Sequence, residues 1–330
     1  MAKEKKYLSI KDTTISFLDF VKMFSTEHKA REYLMKIRWG NKIVCPYCGH
    51  EIVYSCNRKN EHGFYECGKC NKVFSVRTGT IFERSHIPLT KWLYACYKVI
   101  TARKGISSVQ LGVEIGVTQK TSWFMLHRIR NSCSGFDLQK LREIVEVDGA
   151  YFGGSEKCKH KSKKQNLGRG AVGKICVLGM KQRGKHGKVK AVVIKATDHS
   201  VVYPTMENHI EKDAHIMTDE AKVYERIPFE KHSIVKHHDL EFVKDNAYTN
   251  EIESVWAIMK RGWKGVYHHF SPKHLQLYVN EYCFRMNEGR CDLKLEDRIK
   301  SICGFGINSK HMTFKELLSR EGDNGLKRAA

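Results

Sequence analysis

The stretch IVEVDGAYFGG, residues 144–154, decides how this chain is read. Before it, apolar residues recur at helical spacing. From residue 141 onward they alternate or cluster in β-branched runs. Residues 144–152 read as a strand that closes on two glycines, with Asp148 at its end. Downstream, KICVLGM (174–180) and VKAVVIKA (189–196) are a second and a third strand. Ser200 opens a helix through Met206 and Ile210, residues 215–219 are a short fourth strand, and residues 233–235 are a candidate fifth. Residues 249–259 form a helix with Ile252, Val255, Trp256 and Met259 on one stripe. Three strands in succession before the first helix predict an antiparallel start to a mixed sheet covered by helices, unlike a plain βαβ repeat.

That sheet gathers three acids: Asp148 at the end of the first strand, Asp219 at the end of the fourth and Glu253 on the late helix. Converging carboxylates repel one another and tolerate burial when divalent cations lie between them. Two Mg2+ ions about 4 Å apart suit an in-line phosphoryl transfer, one for the attacking and one for the leaving oxygen. Each acid also has a structural alternative: Asp148 as a turn residue, Asp219 as the cap of the 220–224 turn, Glu253 as a surface partner of Glu251.

Moving toward the N-terminus, residues 107–130 read as two helices around a tight Gly116-Val117 turn, with Thr118 capping the second. Preceded by a helix that opens near Pro88, this is a helix-turn-helix layout. Gln119 and Lys120 then fall at the start of the last helix and Arg128 and Arg130 near its end, placements that suit base edges and phosphates. An ordinary three-helix bundle with a basic face is the competing possibility. Further upstream, Cys45-Pro-Tyr-Cys48 and Cys67-Gly-Lys-Cys70 stand 18 residues apart. This is the spacing of a structural zinc ribbon, four thiolates closing a tetrahedron; a thiolate iron site shares the pattern. Cys56 lies between the pairs without a partner. Cys96, Cys133, Cys176, Cys283 and Cys303 stand singly among apolar neighbours, as buried thiols do in a reducing compartment. Short amphipathic helices capped by Ser16 and Thr26 precede the ribbon.

Across 330 residues, 58 Lys and Arg face 36 Asp and Glu, a formal charge of +22. With 41 % hydrophobic residues the chain can bury a core, which excludes a largely disordered protein. No run approaches the ~20 apolar residues of a membrane span, and the opening MAKEKKYLSIKD lacks a secretory signal core. The expectation is a soluble, cytoplasmic protein whose partner is a polyanion, nucleic acid above all. Between Lys157 and Lys190 stand twelve Lys and Arg and no acid, a run expected to track phosphate without reading sequence.

Together with the ribbon, the segments TGTIFERSHIPLTKW (78–92), GISSVQLGVEIGVTQKTSWFMLHRIR (105–130), VEVDGAYFGG (145–154), TDEAKVY (218–224) and NEIESVWAIMKRGWKGVYHHFSPKHLQLYVNE (250–281) resemble a bacterial insertion-sequence transposase of the ISXO-like DDE group with an N-terminal zinc ribbon. The resemblance runs from about residue 17 to 287. It implies a multidomain α+β chain: an N-terminal helical segment (1–40), zinc ribbon (41–82), helix-turn-helix region (83–135), RNase-H-like mixed α/β catalytic domain (141–290) and C-terminal tail (291–330). It implies cleavage and strand transfer at terminal inverted repeats, with Mg2+ or Mn2+ at Asp148, Asp219 and Glu253 and structural Zn2+ at Cys45, Cys48, Cys67 and Cys70. The partners are the element's double-stranded terminal repeats and target DNA, engaged by a homodimer or larger assembly associated with the nucleoid, and not a membrane.

The family's basic residue seven positions after the third acid falls on Lys260, with Arg261 beside it. Seven residues are about two helical turns, so Lys260 shares a face with Glu253. Asn250 matches an asparagine on which some relatives rely. Three positions depart from the pattern: Gly149 and Ala150 replace an acid and Thr, and Tyr248 replaces His. None removes a metal ligand, yet all three touch the support around the acids. The alternative function is a catalytically inactive transposase-derived DNA-binding protein.

Overall fold

The computed structural model describes residues 16–58, 61–135, 139–154, 160–164, 173–235 and 249–319. Tyr248 lies outside these residues, as does part of the basic run. The chain divides into two compact units, one comprising residues 1–136 and 288–314 and the other residues 137–287 and 315–330.

In the first unit, α1 (Phe17–Met23) and α2 (Glu27–Trp39) start where Ser16 and Thr26 accept backbone N–H bonds as caps. Strands β1 (Val53–Arg58), β2 (Glu61–Cys67) and β3 (Val73–Ser75) make an antiparallel sheet in that order. Three helices follow: α3 (Leu89–Thr101), α4 (Ser108–Ile115) and α5 (Gln119–Ser132). The α4–α5 turn needs Gly116, whose φ of 61° and ψ of 54° are left-handed. Ser107 and Thr118 cap the two helices.

Two expectations are corrected here. Arg128 and Arg130 are not surface groups: they are 3 % and 1 % exposed. The Arg128 guanidinium donates to the Glu83 carbonyl at 2.7 Å and lies over the Trp92 and Phe124 rings. Its charge is spent inside the unit, so neither arginine is offered to phosphate. Nor are residues 291–330 simply a tail. Leu295–Asn308 form helix α9, packed on α2, α3 and α5 through a stripe of Leu295, Ile299, Ile302 and Cys303. Gly306 accepts from the Ile81 backbone N–H at 3.0 Å, and His311 pairs with Glu83 at 2.8 Å.

The second unit is built on strands β4 (Ile144–Phe152), β5 (Ile175–Gln182), β6 (Val189–Ile194), β7 (His215–Asp219) and β8 (Lys231–Val235), in the order β6-β5-β4-β7-β8. The β6-β5-β4 half is antiparallel; β7 and β8 add in parallel to β4. The antiparallel start to a mixed sheet is thus present. Helix α6 (His199–His209), capped by Asp198 and not begun at Ser200, packs on β6. Helix α7 (Asn250–Gly262) crosses β4 and β5, and α8 (Leu275–Asn287) packs on β6. Alternation along β4 sorts the two faces. Val145 and Val147 join Leu178, Met180, Val202, Met206 and Ile216 in one apolar cluster, while Glu146 and Asp148 turn toward α7.

Candidate active site and zinc centre

The parallel register Ile144↔His215 and Glu146↔Met217 brings Asp148 level with Asp219 on neighbouring strands. Both acids line a cavity of about 270 Å³ whose other walls include Tyr151, Leu178, Val202 and Tyr224. Burial raises the Asp148 carboxyl above its ordinary value of 3.8; the charges of Asp219 and Glu253 raise it further, while N–H bonds from Gly149 and Trp256 oppose them. Asp148 Oδ1 accepts from the Gly149 backbone at 2.7 Å and Oδ2 from Trp256 Nε1 at 2.9 Å. Asp219 Oδ1 accepts from the Ala221 N–H at 3.2 Å, a local bond two residues on; the helical turn Lys222–Tyr224 is itself capped at Ala221 and not by the Asp219 side chain.

Glu253 is exposed on the first turn of α7 and does not line the cavity. Its charge reaches Asp148, yet among the described residues the three acids do not close into one ligand cluster. Lys260 and Arg261 are exposed in the last turn of the same helix; the Arg261 Nε donates to the Ala257 carbonyl at 3.1 Å.

Sequence reasoning missed two groups here. Glu146, 0 % exposed, is held at 2.7 Å by Arg183 and accepts the Ile252 N–H at 3.0 Å, standing in for the side-chain cap that Thr249 does not make. Its signal was an acid two residues before Asp148 in an otherwise apolar strand, hence on the same face. Tyr224 is buried against the acids, its hydroxyl pushed well above the ordinary range by burial and by the charges of Asp148 and Asp219. The basic run is also partly consumed internally. Lys181 pairs with Glu251 at 2.9 Å, Arg183 with Glu146, and the Lys190 ammonium donates to the Gln139 carbonyl.

In the first unit the four paired cysteines come together, all four sulfurs lying within 4.8 Å of one another. The Cys45–Cys70 and Cys48–Cys67 separations are 3.7 and 3.6 Å. A tetrahedron with Zn–S bonds of ~2.3 Å has edges of ~3.8 Å, so the thiolates fit a structural Zn2+. The backbone N–H groups of Tyr47 and Lys69 point at Cys45 and Cys67 sulfurs at 3.4 Å each, supporting the negative charge of a bound thiolate. Cys56, half-buried on β1, is outside the cluster. Gln119 and Lys120 are exposed at the start of α5; Gln119 donates to Ser108 Oγ at 2.9 Å, and the Lys120 ammonium lies 4.8 Å from the Phe314 ring centre.

Residues 25–73 match the transposase zinc-ribbon domain and residues 140–287 the ISXO2-like transposase domain. The chain is similar to an uncharacterized protein in transposable element ISH50 of Halobacterium salinarum, 29 % identical over 279 residues that cover 80 % of this chain and 92 % of the relative. No solved structure matches. The four cysteines fall inside the first matched segment and the five-stranded sheet with Asp148, Asp219 and Glu253 inside the second, so the chain carries an ISXO2-like transposase domain behind a transposase zinc-ribbon domain.

Proposed function

We propose that this transposase cuts DNA at the terminal inverted repeats of its insertion sequence and joins the ends to target DNA. The observation that carries the proposal is Asp148, in the middle of β4 and not at its end as the sequence suggests, level with Asp219 at the carboxyl end of β7 beside a cavity, with the charge of Glu253 acting on the Asp148 carboxylate. The β6-β5-β4-β7-β8 order, antiparallel then parallel, supports an RNase-H-like reading of the catalytic domain. Hard carboxylate donors suit Mg2+ or Mn2+, which Asp148, Asp219 and Glu253 would hold and which would supply Lewis-acid stabilisation of the phosphoryl oxygens.

The side chains then have assigned tasks. The acids fix where the scissile phosphate sits, and Lys260 and Arg261 neutralise the neighbouring backbone from the far end of α7. Water displaces the 3′-oxygen of the phosphodiester, leaving a 3′-hydroxyl and a 5′-phosphate. The 3′-hydroxyl then attacks a target phosphodiester, one P–O bond forming as another breaks, with no covalent bond to the protein. The α4–α5 pair serves as a helix-turn-helix, with Gln119 and Lys120 toward DNA and the ribbon beside it gripping the terminal repeat. A homodimer or larger assembly pairs the two ends in the cytoplasm at the nucleoid.

The test is Mg2+- or Mn2+-dependent cleavage of DNA carrying the flanking terminal repeat, by the intact protein and by Asp219→Ala. Cleavage by the intact protein alone, with binding retained in both, is the expected result. Binding without cleavage by either makes the protein a DNA-binding relic, the alternative raised by Gly149 and Ala150.

A further inference from the structure

Helix α7 lies along β4 with two side-chain hydrogen bonds in step. Glu146 and Asp148 stand two residues apart on one face of the strand, a spacing of ~6.6 Å. Their partners, the Ile252 N–H and the Trp256 indole, stand four residues apart on the helix, a spacing of ~6.0 Å. Because the spacings match, both bonds form at one register, and sliding α7 by a single residue breaks both. The strand that carries one acid therefore fixes the helix that carries another.

Space for the indole comes from Gly179, which pairs with Asp148 in the β4–β5 register. A Cβ there would lie 2.4 Å from Trp256 Cζ2 and 2.6 Å from Cη2. No left-handed backbone demands this glycine; the ring does. Phe152 meets the same ring edge-on with centroids 6.4 Å apart, and Trp256 is 4 % exposed. A tryptophan side chain offers one donor and no acceptor, so its N–H selects one oxygen of Asp148 and sets the plane of the carboxylate.

We propose that Trp256 is a positioning residue for Asp148, seated by Gly179 and kept in register by Glu146, and that it orients the carboxylate for the divalent cation. The proposal rests on the assignment of Asp148 as a metal ligand, and its test separates the two. In the full-length protein with 15N-labelled tryptophans, the indole resonance missing from Trp256→Phe is expected to move in Asp148→Ala. Mn2+ titrated without DNA should bind Trp256→Phe roughly 10–100-fold more weakly, the usual loss on removing a ligand's outer partner. The Mn2+ needed for half-maximal cleavage should rise in parallel, with affinity for terminal-repeat DNA unchanged.

A purely structural tryptophan would lower the melting temperature without moving the Mn2+ dependence. Should Trp256→Phe unfold, Gly179→Ala displaces the same ring and carries the same expectations. An indole resonance indifferent to Asp148→Ala, or wild-type Mn2+ affinity in Trp256→Phe, overturns the proposal. Absence of Mn2+ binding and cleavage in the wild type instead overturns the ligand assignment, and the proposal with it.

Discussion

Arg128 and Arg130 show how charge is to be read at the residue scale. Arg128 and Arg130 sit on the same helix as Gln119 and Lys120, and a sequence gives all four the same polar label. The long apolar stem of arginine packs like a hydrophobe, and a carbonyl or an aromatic face can occupy its head. The Glu83 carbonyl and the Trp92 and Phe124 rings do so for Arg128. Arg128→Ala is therefore expected to cost about 2 kcal/mol of stability, measured by denaturant unfolding, while DNA affinity of the folded fraction stays at the wild-type value. Lys120→Ala should do the opposite, leaving stability unchanged and lowering the slope of log affinity against log salt by about 1. That Asp148 and Asp219 share one stretch of sheet was legible because acids in apolar strands stand out, although Asp148 lies in the middle of β4 and not at its end. Glu146 was equally conspicuous in the sequence, but only the α7 backbone it caps reveals its use.

At the scale of elements, the β4–α7 contact and the β7–β8 pair make distinct predictions. Removing the buried carboxylate in Glu146→Ala takes a partner from both Arg183 and the first turn of α7. A loss of about 3–5 kcal/mol is expected in chemical unfolding. On the other side of the sheet, His232 on β8 accepts or donates at 2.9 Å with Thr218 of β7, and burial together with the charge of His215 lowers its pKa below 6.5. His209 on α6 is lowered likewise, by burial and then by Lys190 and Lys140 against the Thr205 carbonyl. For a base whose folded value is depressed, stability is present above the unfolded value and lost as pH falls below it, since the unfolded chain takes up the proton first. The melting temperature should therefore drop between pH 7 and pH 5, and drop less in a His209→Gln, His232→Gln double variant. The ribbon was legible because cysteine spacing is a local rule. Helix α9 was not, because its stripe from Leu295 to Cys303 acquires meaning only from the distant α2 and α3 that it covers.

For the whole molecule, the net charge of +22 predicts DNA binding that weakens steeply with salt. Replacing Lys161, Lys174 and Lys185 with Gln should flatten that dependence, read as the slope of log affinity against log salt; an unchanged slope would refute a phosphate-tracking role for the run. Lys181, Arg183 and Lys190 are omitted from that set because Glu251, Glu146 and the Gln139 carbonyl already engage them. The composition announced a polyanion partner but not this division of labour, which depends on which lysines face acids in the fold. Removing zinc with a strong chelator should melt the ribbon's three short strands, followed by loss of the far-UV signal of the first unit, since strands of three to seven residues lack the core to persist alone.

The first unit is assembled from two separated pieces of chain, residues 1–136 and 288–314. On the ribosome that has a consequence of timing. The apolar faces of α2, α3 and α5 emerge long before α9, and they wait while residues 137–287 are made between them. A chain ending before Leu295 lacks α9, so its α2, α3 and α5 faces are expected to stay open to solvent, read as faster proteolysis than that of the full-length protein.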